Sequence, residues 1–269
     1  MNILQIKINF NVTPGICRYV FAYLLSGEKS CWLIDSGVCG SHNRIIEEMS
    51  TAGMQLSDLK GIFLTHAHPD HIGTARWFQQ HTGCRIFASA GEEPWISDIE
   101  KQYRDRPIPN FHNLAGSSVQ VDTIVEDGAL FELEDGHTIE AVSTPGHSAD
   151  EMSYRVGDVL FIGDAVPVRG DIPIYVDKEA SIASLKKIKS LPGIRTFYPA
   201  WDTAYSAQQM KQKIEDALEL IQHIDSAVRQ AGQKESVGET VRAVCEILDL
   251  PLLMKNPLFA RTVMSHLQG

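Results

Sequence analysis

Between an apolar run, Gly61 to Thr65, and an amphipathic segment from about Ile72 to His81 stands the stretch Thr65-His66-Ala67-His68-Pro69-Asp70-His71. It places three histidines and a carboxylate within six residues. Packing gives no reason to put four ligand-type side chains on one strand-to-helix connection. In an extended segment His66 and His68 project to the same side, while Asp70 and His71, opening the next helix, face a second point a few ångströms away. The stretch therefore predicts a buried strand that ends at a pair of adjacent metal ions, with a helix leaving the same point.

The surrounding chain repeats this alternation. β-rich composition marks Ile3 to Phe10, Tyr19 to Leu25 and Cys31 to Asp35 as strands, the last two joined by a turn at Ser26-Gly27-Glu28-Lys29. A helix is predicted around His42 to Ala52 and a strand over Arg85 to Ser89, which is an α/β pattern. Gly91 to Gly116, rich in Pro, Asn and charge, reads as a long irregular insertion with one short helix, a kind of segment that often lines binding sites. Strands return at Val119 to Val125, Ala129 to Glu132 and Thr138 to Ser143, with Asp135-Gly136 turning the last two. Two more, Met152 to Val156 and Val159 to Ile162, precede a helix over Glu179 to Ser190 and a last strand, Arg195 to Tyr198. After Trp201 only helical periodicity is left: Met210, Ile214, Leu218, Ile221 and Ile224, then Val237 to Leu248, then Pro257 to Leu267. The expected organisation is a catalytic domain over residues 1–204 and a helical extension over 205–269 packed on it.

With 43% hydrophobic and 22% charged residues, the 269-residue chain has the composition of a globular protein able to bury a full core. No apolar run approaches the roughly 18 to 20 residues that span a bilayer. The start, Met1-Asn2-Ile3-Leu4-Gln5-Ile6-Lys7, lacks a signal-segment pattern, so the expectation is a cytoplasmic protein with no membrane partner. Five scattered cysteines without a C-x-x-C indicate neither a disulfide framework nor a zinc ribbon. Net charge is -10, with about -12 on residues 1–177, which would repel a phosphate backbone and leaves a small molecule rather than nucleic acid as the expected partner. The amphipathic tail permits a homodimer.

Two further positions stand where apolar strands end, each after a glycine: His147 in Thr144-Pro145-Gly146-His147-Ser148 and Asp164 in Phe161-Ile162-Gly163-Asp164. With these, the sequence resembles the metallo-β-lactamase superfamily of hydrolases over about residues 1 to 202. Its pattern is His-x-His-x-Asp-His, a downstream Gly-His, a Gly-Asp and a final His. Tyr23-Leu24-Leu25 followed by Leu33-Ile34-Asp35-Ser36-Gly37 fits the same family. The resemblance implies an α/β, αββα four-layer sandwich with the metals at one edge, here with a C-terminal helical extension like those of glyoxalase II-like members. It also implies His66, His68 and His147 on a first metal, Asp70 and His71 on a second, and Asp164 bridging both. Asp35 would orient a histidine ligand, or simply close a turn.

The departure comes at the last ligand. The corresponding stretch is Tyr198-Pro199-Ala200-Trp201-Asp202-Thr203, with Trp201 in the histidine's place. Asp202 is a candidate oxygen ligand to the second metal; the alternative is a helix N-cap for the long helix beginning near Ser206. Without Asp202 the second site is weak and one metal is enough. Tyr198 and Trp201 are candidate substrate-binding residues, and Asp70 is the candidate catalytic proton carrier. The cofactor expectation is two divalent ions, zinc first, with manganese or iron as alternatives. The functional expectation is hydrolysis of a small ester, thioester or lactone by a metal-activated hydroxide. A mononuclear iron oxidoreductase resembling persulfide dioxygenases and a non-catalytic binding module are the competing readings.

Overall fold

Along Ile16–Ser26 the side chains of Val20, Ala22 and Leu24 enter one core, those of Phe21, Tyr23 and Leu25 enter another, and all six are buried. A strand covered on both faces reads as a continuous apolar run, which is why this segment shows little polar alternation. The computed structural model describes residues 1–133 and 136–267. In chain order its first half runs β1 (Asn2–Thr13), β2 (Ile16–Ser26), β3 (Cys31–Ile34), α1 (His42–Thr51), β4 (Leu59–Phe63), α2 (Pro69–Ile72), α3 (Ala75–Thr82), β5 (Arg85–Ser89), α4 (Glu93–Ile96), α5 (Ile99–Asp105), α6 (Phe111–Ala115) and β6 (Thr123–Val125). The second half runs β7 (Leu130–Glu132), β8 (Thr138–Ser143), β9 (Met152–Val156), β10 (Val159–Gly163), α7 (Lys178–Ser190), β11 (Thr196–Pro199), β12 (Tyr205–Ser206), α8 (Ala207–Ala231), α9 (Val237–Leu248) and α10 (Pro257–Ser265).

Each half forms one six-stranded mixed sheet, ordered β1-β2-β3-β4-β5-β6 and β12-β11-β10-β9-β8-β7. Their inner faces meet through aromatic side chains. Phe63 of β4 stacks on Phe87 of β5 at 4.2 Å and meets Tyr154 of β9 edge-on at 5.3 Å. The Tyr154 hydroxyl donates to the Leu64 carbonyl across the gap at 2.9 Å. Outside the first sheet, Ile45 and Met49 of α1 and Phe78 of α3 close a second core. Outside the other sheet, Leu185 of α7, Ile214 and Ile221 of α8, Val244 of α9 and Phe259 of α10 close a third with Leu160 and Ile162. The result is an αββα sandwich whose C-terminal helices share a core with the second sheet.

Several local expectations shift. Helix formation starts earlier than the periodicity suggests, at Pro69, and breaks at Gly73-Thr74 before α3 resumes. A Cβ at Gly73 would collide with the backbone of Cys39 and Leu114, so the break is where two other segments cross the helix end. The insertion holds three short helices, α4 to α6, rather than one. The strand expected from Val119 shrinks to β6, because Val119 N–H donates instead to the Ile96 carbonyl of α4 at 3.0 Å. Asp135 of the expected Asp-Gly turn lies outside the described residues.

β3 and β4 are parallel, as are β10 and β11, so four carboxyl ends open toward one edge of the sandwich. Asp35, the Thr65–His71 stretch, Asp164 and Trp201 all follow those ends, where open α/β sheets bind ligands.

Candidate metal centre

After β4 the chain leaves the sheet extended. Thr65 N–H donates to Asp35 Oδ1 at 2.8 Å, and His68 holds an extended backbone, φ −63° and ψ 148°, as the residue before α2. Pro69 opens that helix at no hydrogen-bonding cost, since the first helical N–H groups have no partner within the helix. His66 and His68 therefore project together from extended chain, and His71 follows within the first helical turn.

Asp35 organises the cluster from beneath. It is 2% exposed and sits at φ 59°, a left-handed conformation that a short polar side chain tolerates. Its Oδ2 accepts from His71 Nδ1 at 2.8 Å and from the Thr65 hydroxyl at 2.9 Å. Since the Thr65 proton goes to Asp35, Thr65 Oγ1 is left to accept from His66 Nδ1 at 3.0 Å. One carboxylate thus fixes two imidazoles, one directly and one through a hydroxyl. His147, which follows β8 of the other sheet, is fixed by the loop before α7, donating from Nδ1 to the Ile174 carbonyl at 2.9 Å.

With those protons on Nδ1, the inner Nε2 atoms of His66 and His147 carry lone pairs. Both lie 2.9 Å from His68 Nδ1. A single proton on His68 Nδ1 can satisfy only one of them. Burial, reinforced by the neighbouring imidazoles, holds His66 and His68 well below the ordinary histidine pKa, and burial lowers His147 as well, so the triangle is electron-rich and neutral. A divalent cation satisfies all three nitrogens at once, and the donor set fits one.

A second group lies beside the first. His66, His71 and Asp164 bring ligand atoms within 4.8 Å of one another. His71 Nε2 is buried without a hydrogen-bond partner, 3.7 Å from Asp164 Oδ2 and 3.9 Å from Asp70 Oδ2. Burial opposes charge on His71, but Asp35, Asp164 and Asp70 outweigh it and raise its pKa well above the usual range. Burial would likewise raise the Asp164 carboxyl, yet His71 and His147 hold it down at about 2. Asp70 sits at the rim, with its side chain 32% exposed. Gly163 enables the approach of Asp164: its φ is +49°, and a Cβ there would come within 2.5 Å of Glu151 Oε1.

Two expected residues are not brought in. The Asp202 carboxylate accepts from the Tyr205 hydroxyl and from Thr203 N–H at 2.7 Å, and belongs to neither ligand group. Nor does it cap the long helix, because Ser206 does so in a reciprocal capping box with Gln209. Tyr198 points between the sheets, stacked on Phe161 at 5.3 Å and against Tyr23 at 5.1 Å, so it packs the core rather than a substrate. Trp201 does line the cavity over the centre, and its Nε1 is buried without a partner.

That cavity, about 430 Å³, has His68, Asp70, His147 and Asp164 at its floor. Its walls come from the β1–β2 hairpin tip, the 166–174 loop and the start of α10, and are largely apolar. Three buried residues had no motif to announce them. Glu92 accepts from Ala67 N–H at 2.9 Å and Asp150 N–H at 3.0 Å, tying the His66–His71 loop to the His147 loop. Glu151 accepts from Asp164 N–H at 2.8 Å, and Arg106 borders the cavity. The only prior sign was that Glu92 and Arg106 fall in the insertion between Gly91 and Gly116.

Comparison with known proteins agrees with this geometry. The chain is 30% identical over 207 residues to the probable metallo-hydrolase YflN of Bacillus subtilis, covering 72% of this chain and 75% of that protein. It is 29% identical over 227 residues to the atrochrysone carboxyl ACP thioesterase of Aspergillus fumigatus, covering 81% of this chain and 62% of that one. The solved metallo-beta-lactamase family protein TTHA1429 of Thermus thermophilus superposes with a TM-score of 0.76 at 18% identity, covering 99% of this chain and 92% of its own. The sequence profile of the metallo-beta-lactamase superfamily matches residues 15–199, the span that carries both sheets' site-forming ends, and the chain belongs to that superfamily as a metallo-hydrolase.

Proposed function

We propose that the protein hydrolyses a small ester or thioester at a two-ion centre, with lactones as the neighbouring class. The observation that carries this reading is the triangle of His66, His68 and His147, in which the outer nitrogens of His66 and His147 are fixed and the inner nitrogens lack protons enough to satisfy each other. His66, His68 and His147 would hold the first ion, and His71, Asp164 and Asp70 the second. A divalent ion there lowers the pKa of water toward neutrality and polarises a carbonyl oxygen. Asp70, partly exposed at the cavity floor, takes the proton released during hydrolysis at a carboxylate oxygen. The apolar walls would shield an acyl chain from water, and Trp201 is one of the residues that line them. The thioesterase relative supports the thioester as the first substrate class to test.

The test compares initial rates on thioester, lactone, phosphodiester and β-lactam substrates with zinc-loaded protein. Turnover of the thioester or lactone is expected, and no turnover of any substrate rejects the reading. A second reading, a mononuclear iron oxidoreductase, is favoured by one feature: the second group has a single histidine of its own and gains nothing from Asp202. Elemental analysis of protein purified without added metal separates the two, about two zinc per chain against one iron.

A further inference from the structure

The cavity holds a charged group that the hydrolytic reading does not use. Arg106 follows α5, and α5 is bolted to the ligand loop by the buried Gln102, whose Nε2 donates to the Ala67 carbonyl at 2.6 Å while its own carbonyl accepts Arg106 N–H at 2.7 Å. The guanidinium is thereby placed beside the centre, lining the same cavity as His68, Asp70, His147 and Asp164. Arg106 is 4% exposed, its Nε is buried without a hydrogen-bond partner, and among the described residues no carboxylate comes within ion-pair distance of it. Asp70, Asp164 and Glu92 attract it from further away, and Arg261 of α10 repels it. Burial lowers its pKa only to about 10, so it stays charged at neutral pH.

A buried cation without a pairing anion is costly, and proteins rarely keep one in an otherwise apolar wall. The cavity that Arg106 lines is otherwise walled by Ile108, Pro109, Val166, Ile174 and Leu258, none of which can pair with a guanidinium, and the carboxylates at its floor, Asp70 and Asp164, stand beyond ion-pair distance. A planar fork of donors matches a carboxylate with two parallel hydrogen bonds, and the apolar remainder of the wall leaves a single such group as its partner. We propose that Arg106 is the specificity residue of this cavity and receives a carboxylate carried by the substrate, the remainder of which is apolar. This rests on the hydrolase reading for the bond that is cut, but the subsite itself does not depend on turnover. The carboxylate sits either on the acyl chain or on the leaving group.

Two matched pairs of thioesters distinguish these. On the acyl side, adipoyl N-acetylcysteamine is compared with its neutral isostere, the 6-methylheptanoyl thioester. On the leaving-group side, the hexanoyl thioester of 3-mercaptopropionate is compared with that of 3-methylbutanethiol. Zinc-loaded wild type is expected to prefer the carboxylate member of one pair by about tenfold in kcat/KM, carried by KM. In Arg106→Met the loss on that member exceeds the loss on its isostere by about the same factor, and Arg106→Lys recovers part of it. In parallel, calorimetry measures binding of adipic acid monoamide and of the thiol 3-mercaptopropionate's S-methyl ether, neither of which has a thioester bond to hydrolyse. About tenfold weaker binding of either one to the Met variant supports the subsite even if no thioester is turned over, an outcome that rejects the hydrolase reading alone. Where the thioesters are turned over, absence of a carboxylate preference in both pairs or equal losses on charged and neutral members overturns the proposal; with or without turnover, unchanged binding of both probes overturns it. A purely structural Arg106, there to offset nearby carboxylates, produces the equal losses. Should Arg106→Met fail to fold, the wild-type preference and the comparison of Arg106→Lys with Arg106→Gln decide between the same outcomes.

Discussion

Asp35 carries more of the centre than its distance from the cavity suggests, since it holds His71 directly and His66 through Thr65. Asp35→Asn keeps the shape but offers an N–H where both partners need an acceptor. It is expected to weaken metal binding by about 10- to 100-fold, read by competition against a chelator. Asp202→Ala is expected to leave metal content unchanged by elemental analysis, because the Asp202 carboxylate is spent on Tyr205 and Thr203. The six clustered or glycine-flanked candidates stood out in sequence because ligand-type side chains recur there at short spacings or directly after a glycine at a strand end, and five of them, all but Asp70, fall into the two ligand groups. Glu92, Arg106 and Glu151 were not: what matters about each is burial against segments far away in sequence, as with Glu92 and Asp150. Adjacency to a motif likewise could not say that Tyr198 would face the gap between the sheets, or that the Asp202 carboxylate, in the connection after β11, would be taken by Tyr205 and Thr203.

Among the elements, α10 reaches the centre through one carbonyl. Its Thr262 hydroxyl donates to the Pro173 carbonyl at 2.8 Å and accepts from Tyr175 N–H at 3.2 Å, bracketing Ile174, whose own carbonyl orients His147. Beside it the Tyr175 hydroxyl meets His266 Nε2 at 2.8 Å, and His266 Nδ1 meets Asp225 of α8 at 3.0 Å. Thr262→Val is therefore expected to loosen His147 and reduce zinc affinity while the fold persists, a change that isothermal titration would register. Burial lowers the His266 pKa despite the pull of Asp225, so the folded protein binds fewer protons there than the unfolded chain as pH falls below about 6.5. Its contribution is full above that pH and fades toward acid. The melting-temperature advantage of wild type over His266→Gln should accordingly be larger at pH 8 than at pH 5. Helical periodicity announced α8 to α10, but no single-chain pattern could say that α10 would brace a ligand on the second sheet.

At the scale of the whole molecule, three cores stack in one direction and the central one is aromatic. Phe63, buried between Phe87, Phe131 and Tyr154, is its middle, and Phe63→Ala is expected to cost roughly 3 to 5 kcal/mol in urea unfolding with little change in slope. The layering was readable because strands covered on both faces are apolar throughout. Helix starts in the insertion were not, since short helices there owe their existence to tertiary contacts more than to periodicity.

The cluster of histidines has a consequence for the molecule's response to its surroundings. His66, His68 and His71 hang from one sheet, His147 and Asp164 from the other. An ion gripped by both is a clasp between halves, and it exists only while the sandwich is closed. Binding to the folded chain alone adds about 2.7 kcal/mol when free metal reaches a hundred times its dissociation constant. The melting temperature then becomes a gauge of available metal, climbing smoothly with the logarithm of free zinc and falling with a chelator before any substrate is present.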